Sequence, residues 1–233
     1  MKFTKRLIKG KFIKRYKRFF ADIKLNNKEI ITAHCPNTGS MMGLLDTNND
    51  VWVSKNDDPK RKLKFTLEMI KVKNNLVGVN THFANKIVYH GLSNNLFNEF
   101  KKPDSIKPEF FFNKETRFDF LVQKKYQKIL IEVKNVTLFR NKQIAEFPDA
   151  ITSRGTKHLK TLIDAIKKGY KSYIIFLIQI QRMEYFKIAK DIDKEYYQNY
   201  LIAKKFGVNF LAYRCKIDPK QIKIEKKLQI IDE

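Results

Sequence analysis

Two neighbouring apolar segments each carry charge at their centre. One is Arg117-Phe118-Asp119-Phe120-Leu121, and the next is Ile129-Leu130-Ile131-Glu132-Val133-Lys134. Side chains alternate faces along a strand. Glu132 and Lys134 therefore share a face, and Ile131 and Val133 take the other. Asp119 sits between Phe118 and Phe120, which point away from it. The stretch from Gln123 to Gln127 is polar and short enough for a hairpin, and a hairpin brings Asp119 beside Glu132 and Lys134. Charge inside an apolar sheet is costly unless it is paired or metal-bound. Two readings of the spacing stand. One is a structural ion pair between Lys134 and a carboxylate. The other is a site for Mg²⁺ or Mn²⁺, in which the cation relieves the repulsion between Asp119 and Glu132. Such an ion polarises a phosphoryl oxygen and lowers the pKa of bound water. Lys134 then orients that water or stabilises developing negative charge.

Composition narrows the class. Hydrophobic residues make up 43% of the 233 positions, which excludes global disorder. The longest purely apolar run, Tyr173 to Ile178, is too short to span a bilayer. Lys or Arg recurs through Arg18, leaving no apolar core for a secretory signal. The two cysteines, Cys35 and Cys215, are too few for a disulfide framework or a structural zinc site. A cytoplasmic protein without a membrane partner is expected. The formal net charge of +24 predicts attraction to polyanions, with nucleic acid rewarding each cation through counterion release. Residues 2–18 hold nine Lys/Arg and no acid, interleaved with Phe3, Phe12 and Tyr16. Cations beside stackable rings suit a strand-tracking surface. Lys14, Arg15, Lys17 and Arg18 are the candidate contacts there.

The chain divides softly into two blocks, 1–82 and 83–233. The first reads as short strands separated by Asn-rich turns: a long one from Phe12 to Leu25, then Glu29–His34, Asp50–Ser54, Leu63–Lys73 and Val77–Val79. Several short strands in so few residues suggest a small basic barrel of the OB type. The second block predicts a helix over Leu92–Lys102 and strands at Ile106–Phe112, Thr116–Gln123 and Lys128–Val136. A helix over Ser153–Lys168, a strand at Ser172–Gln179, a helix over Lys194–Phe206 and a strand at Val208–Lys216 follow. The expected fold class is mixed α+β: an OB-fold-like β-barrel, then an α/β domain with helices covering a mixed central sheet.

Longer stretches carry a resemblance. Thr32-Ala33-His34-Cys35-Pro36-Asn37-Thr38-Gly39-Ser40-Met41 is distinctive. So are Asp58-Pro59-Lys60-Arg61-Lys62-Leu63, Val77-Gly78-Val79-Asn80-Thr81, Glu132-Val133-Lys134-Asn135-Val136-Thr137-Leu138 and Phe147-Pro148-Asp149-Ala150. Over nearly the whole chain this resembles the sugar fermentation stimulation protein A (SfsA) family, whose C-terminal domain is similar to PD-(D/E)xK restriction-endonuclease-like folds. The resemblance implies DNA binding, and it places a catalytic metal at Asp119 and Glu132 with Lys134 assisting. A carboxylate from the preceding helix often joins in that fold, and Glu99 is the candidate, with Glu109 second. Asp58 stands where the family pattern expects Asn, and Phe118 where it expects Ile. Neither touches a proposed ligand.

Arg154 and His158 are four apart and share a helix face, with Lys157 beside them. Arg154 and Lys157 are read as phosphate contacts and His158 as a proton-transfer residue. Asn37, Thr38 and Ser40 form a loop whose N–H groups and hydroxyls suit a phosphate. Lys60, Arg61 and Lys62 are candidates for backbone contact, and Asn80, Thr81 and Asn85 for the domain junction. Three functions remain open at this point. One is a Mg²⁺- or Mn²⁺-dependent phosphodiesterase acting on nucleic acid, DNA expected. The second is a non-catalytic DNA-binding regulator linked to sugar metabolism that retains the nuclease fold. The third is a small-anion or sugar-phosphate binder using the Asn37–Ser40 loop.

Overall fold

The computed structural model describes residues 1–231. The first block contains β1 (Ile8–Tyr16), β2 (Phe20–Leu25), β3 (Ile30–His34), β4 (Asp50–Lys55), β5 (Phe65–Val72) and β6 (Asn75–Gly78). The strands run in the order β3-β2-β1-β4-β5, and a parallel pairing of β3 with β5 closes them into a five-stranded barrel. Strand β6 adds to the outside of β5. Inward residues such as Phe12, Ile23, Val51, Val53 and Leu67 fill the barrel, as the period-2 pattern requires.

The long strand expected over Phe12–Leu25 is instead the β1–β2 hairpin, with Tyr16 paired to Phe20. Lys17 and Arg18 make the turn in the left-handed region, at φ 47° and 61°. That conformation is common for glycine and asparagine and uncommon for Lys and Arg, so the sequence carried no turn signal.

The second block contains α1 (His82–Ser93), a 3₁₀ turn (Asn98–Phe100), β7 (Ser105–Phe111), β8 (Arg117–Lys124), β9 (Gln127–Val136) and β10 (Ile144–Phe147). Then come α2 (Ser153–Lys167), β11 (Lys171–Ile178), β12 (Tyr185–Ile188), α3 (Lys194–Lys205), β13 (Asn209–Asp218) and β14 (Gln221–Ile230). They build an eight-stranded mixed sheet in the order β10-β12-β14-β13-β11-β9-β8-β7. The central β9, β11 and β13 are parallel, and β7, β8 and β9 are antiparallel. One core under α2 and α3 runs on into the barrel, and a second lies under α1.

The helix expected over Leu92–Lys102 lies earlier, over His82–Ser93. Ala84, Ile87, Val88, Gly91 and Leu92 are its buried stripe, at helical spacing. Beyond it only the single 3₁₀ turn at Asn98–Phe100 forms. Strands β10, β12 and β14 were not anticipated. The first two have four residues each, and β14 is studded with lysines.

The two blocks are joined by backbone. Gly78 N–H donates to the Gln179 carbonyl at 2.9 Å, and Gln181 N–H to the Leu76 carbonyl at 3.1 Å. On the other side of the junction Ser40 Oγ donates to the Asp149 carbonyl at 2.7 Å, and Met41 N–H to Asp149 Oδ2 at 3.0 Å.

Candidate metal centre

Pairing between β8 and β9 runs from the hairpin tip to Phe120↔Ile131 and then stops. Beyond that point the strands part, and Asp119 fills the opening. Its Oδ2 accepts the Val133 N–H at 2.7 Å, and its Oδ1 accepts Asn85 Nδ2 of α1 at 2.7 Å. The residues on either side diverge. Phe118 packs in the core under α2, its ring 6.1 Å from that of His158. Phe120 packs in the core under α1, stacked on Tyr89 at 6.2 Å. The strand therefore rotates about Asp119, rather than sending both phenylalanines to one face.

Glu132, one register step beyond the last ladder pair, is 5% exposed. Its Oε1 accepts Lys134 Nζ at 2.8 Å and lies 2.5 Å from His158 Nδ1. His158 stands on α2, whose start is fixed by Thr152: its Oγ1 accepts the Gly155 N–H at 3.1 Å. Asp193 caps α3 through the Tyr196 N–H and also accepts the Thr152 N–H, so the two helices hold a common position. The Tyr196 hydroxyl is buried without a hydrogen-bond partner, within the field of Glu132.

The two carboxyls titrate apart. Burial, with the charge of Glu132, raises the Asp119 carboxyl to about 7, against the opposing pull of Val133 N–H, Asn85 and Lys134. Burial also penalises Glu132, but the Lys134 charge and the His158 hydrogen bond outweigh it and hold its carboxyl below the ordinary range. Lys134 and His158 thus compensate Glu132, while Asp119 has no ion pair among the described residues and feels Lys134 only through its field. Among the described residues no group of three or more His, Cys, Asp or Glu is arranged to hold a metal. Asp119 and Glu132 are the oxygen donors this centre offers, a set that fits an ion of the Mg²⁺ type, which keeps waters or substrate phosphate as its other ligands.

Glu99 does not join them. Its Oε2 accepts the Tyr213 hydroxyl at 2.7 Å and its Oε1 accepts Lys227 Nζ at 2.6 Å, on β13 and β14. Strand β11 separates that pair from β9. The expectation failed with the helix that was to carry it: α1 ends before Glu99 and supplies the amide of Asn85 instead. Glu109, also considered, pairs with Arg117 at 2.8 Å on the surface.

The candidate nucleic-acid residues separate into two groups. Lys14, Lys17 and Arg18 are exposed at the β1–β2 hairpin, beside the exposed rings of Tyr16 and Phe19. Arg154 is exposed on the first turn of α2, and Lys157 pairs with Glu115 at 2.8 Å. Lys60 and Lys62 are exposed on the β4–β5 loop. Arg15 is half-buried and held by the neighbouring loop: it donates to the carbonyls of Asn37 at 2.8 Å and Gly39 at 3.0 Å. Asn37 is buried and its Oδ1 accepts the Gly39 N–H, while Ser40 is bound to Asp149. Of Asn37, Thr38 and Ser40, Thr38 is exposed and outside these contacts. Asn80 turns to Glu68 at 2.8 Å, and Thr81 to the Pro36 carbonyl at 3.0 Å.

A closed five-stranded barrel followed by a mixed sheet with facing carboxylates on adjacent central strands defines a two-domain protein with a nuclease-like second half. Family models agree on both halves: "SfsA N-terminal OB domain" matches residues 13–79 and "Sugar fermentation stimulation protein RE domain" matches 82–221. The chain belongs to the SfsA family. A sugar fermentation stimulation protein homolog of Pelagibacter ubique is 74% identical, covering 100% of each chain. The homolog of Syntrophotalea carbinolica is 41% identical over 99% of each. The structure of Pyrococcus furiosus SfsA in complex with Ca²⁺ superposes with a TM-score of 0.90 over 100% of this chain and 98% of that one, at 21% identity. No described helix is long and apolar enough to cross a membrane.

Proposed function

We propose that the protein hydrolyses phosphodiester bonds of nucleic acid, DNA being the expected substrate, with Mg²⁺ or Mn²⁺ held by Asp119 and Glu132. The observation that carries this reading is the facing pair itself, in which burial and the Glu132 charge leave Asp119 poised at about 7. A bound cation would supply Lewis acidity toward a phosphoryl oxygen and a more acidic water. The chain's own groups do the rest. Lys134, 2.8 Å from Glu132, is placed to orient the attacking water and to offset charge on the phosphate. Water loses a proton and bonds to phosphorus, the bond from phosphorus to the leaving oxygen breaks, and that oxygen takes up a proton. His158 holds Glu132 in place as a positioning residue. Arg154 and Lys157 on α2, with the Lys14, Lys17 and Arg18 hairpin and Lys60 and Lys62, supply phosphate contacts. The Ca²⁺ named for the Pyrococcus relative supports a cation at this fold. A cytoplasmic location fits such a substrate.

The test is cleavage of labelled single- and double-stranded DNA and RNA with Mg²⁺ or Mn²⁺, beside Asp119→Ala and Glu132→Ala. Metal-dependent cleavage lost in both variants is the expected result, and an active Asp119→Ala protein would sink the proposal. One observation favours a second reading, a DNA-binding regulator linked to sugar metabolism. Both Asp119 oxygens and the Glu132 Oε1 already have protein partners. That reading predicts salt-sensitive binding, no cleavage by any of the three proteins, and no dependence of affinity on Asp119.

A further inference from the structure

A second concave site lies on the far side of α1. It is a groove of about 460 Å³, within the size range of small-molecule sites, where the N-terminal segment, the β4–β5 loop and α1 meet. Three stretches distant in sequence build it. The N-terminal segment is pinned by a bridge between Lys2 and Gln221 and by the Phe3 N–H on the Lys220 carbonyl at 3.0 Å. Phe83 and Lys86, three apart on α1, share the face toward the groove, roughly 100–160° around the helix from Asn85.

Lys2, Lys5, Lys55, Arg61 and Lys86 line the groove against two acids, Asp57 and Glu68. Asp57 is taken by Lys5. Lys2, Lys55 and Lys86 have no ion pair among the described residues, and Arg61 lies in the field of Glu68. Glu68 is 2% exposed at the inner wall, and its oxygens accept Ser54 Oγ at 2.6 Å and Asn80 Nδ2 at 2.8 Å. Phe3 and Phe83 meet edge to face at 5.7 Å and add apolar ring surface. Lys55 lies over the Phe65 ring at 6.0 Å and Lys86 over the Phe83 ring at 5.9 Å. The excess of cations over acids along the groove calls for an anion. The polar side chains of Ser54 and Asn56 at the groove wall suit hydroxyls, and the half-buried ring edges of Phe3 and Phe83 suit a planar group.

We propose that this groove binds a nucleoside phosphate, with the phosphate among Lys55, Arg61 and Lys86, the sugar hydroxyls toward the Ser54 and Asn56 side, and the base against the Phe3 and Phe83 edge. The ligand is either a free nucleotide or the phosphorylated end of a strand. The site is separate from Asp119 and does not depend on cleavage there. It also moves the anion-binding role foreseen for Asn37–Ser40 to a different place, since that loop is consumed by contacts with Arg15 and Asp149.

The test is calorimetric titration of the full chain with 5′-AMP, adenosine and inorganic phosphate, in parallel with Lys55→Ala/Lys86→Ala, Arg61→Ala and a charge-matched control, Lys24→Ala/Lys71→Ala, on exposed barrel positions. Expected are AMP binding tighter than either fragment, weakening of about tenfold or more in the groove variants, and no such loss in the control. Failure of the wild type to bind AMP overturns the site, as does equal weakening in the control pair. Phosphate binding as tightly as AMP overturns the nucleoside part. Unchanged thermal unfolding of the groove variants excludes misfolding as the cause. Displacement of AMP by a 5′-phosphorylated oligonucleotide, but not its 5′-hydroxyl form, supports the site with a strand end as its ligand. Displacement by neither supports the site with a free nucleotide.

Discussion

The Val133 amide donates to the Asp119 carboxylate at 2.7 Å, at the place where β8 and β9 have ceased to pair. One side chain therefore does two things. It replaces a rung of the ladder, and it presents a carboxylate to Glu132. The same parting of strands leaves a buried N–H in need of an acceptor, and Asp119 is that acceptor.

Asp119→Ala is accordingly expected to lower stability as well as cleavage. It strips the acceptor from both Val133 N–H and Asn85 Nδ2. Each stranded donor costs about 1–3 kcal/mol, partly offset by relief of the repulsion with Glu132. A net loss of about 1–2 kcal/mol in chemical denaturation is expected. A variant as stable as the wild type would show that these two hydrogen bonds contribute nothing net.

Cation binding is expected to be pH-dependent through Asp119. Its folded carboxyl sits at about 7, above an unfolded value near 3.9, so the native state holds the proton more tightly. The stability this group contributes is present below the unfolded value and is lost as pH rises through about 7. A cation must displace that proton. Mn²⁺ should therefore raise the unfolding temperature more at pH 8 than at pH 6, and titration in buffers of different ionisation enthalpy should show proton release at pH 6. A thermal shift independent of pH would remove Asp119 from the ligand set.

The sequence carried this pair because it sits in apolar strands, where an alternation argument is sharp. Asp119, Glu132 and Lys134 were legible for that reason, and His158 through its spacing from Arg154. What failed was mostly local. Lys17 and Arg18 turn the first hairpin in a conformation their residue types rarely adopt, so β1 and β2 read as one strand. The helix was set about two and a half turns too late, and Glu99 went with it. Asn85 was placed only at the domain junction, because an amide on a helix gives no charge signal. Arg15 and Asn37 looked like surface groups for nucleic acid, and only tertiary contact with each other shows them to be structural.

His158 is expected to act on Glu132 and not on substrate. Its Nδ1 lies 2.5 Å from Glu132 Oε1, and both residues are buried. Outer partners of metal ligands are worth about 10–100-fold in affinity or activity. His158→Ala should lower cleavage to that extent and shift the metal half-saturation upward, while His158→Asn, which keeps a donor near the Nδ1 position, recovers part of both. A fall in activity with unchanged metal dependence would instead assign His158 to proton transfer.

Arg15 and Arg18 offer a paired comparison within one hairpin. Arg15 Nε donates to the Arg18 carbonyl at 2.9 Å, while its other nitrogens hold the carbonyls of Asn37 and Gly39. That guanidinium ties the hairpin turn to the loop that docks on Asp149 across the domain junction. Among the described residues the Arg18 side-chain nitrogens make no such contacts, and the residue is exposed. Arg15→Ala should therefore lower stability by about 1–3 kcal/mol, because carbonyls of the docked loop lose a charged donor. It should also admit protease within residues 36–43. Arg18→Ala should leave stability within about 0.5 kcal/mol of the wild type, and it should weaken nucleic-acid binding and reduce the salt slope by about one. Equal stability losses in the two variants would show that the hairpin, and not the Arg15 clamp, holds the loop. Equal losses of binding without a stability change would return Arg15 to the nucleic-acid surface.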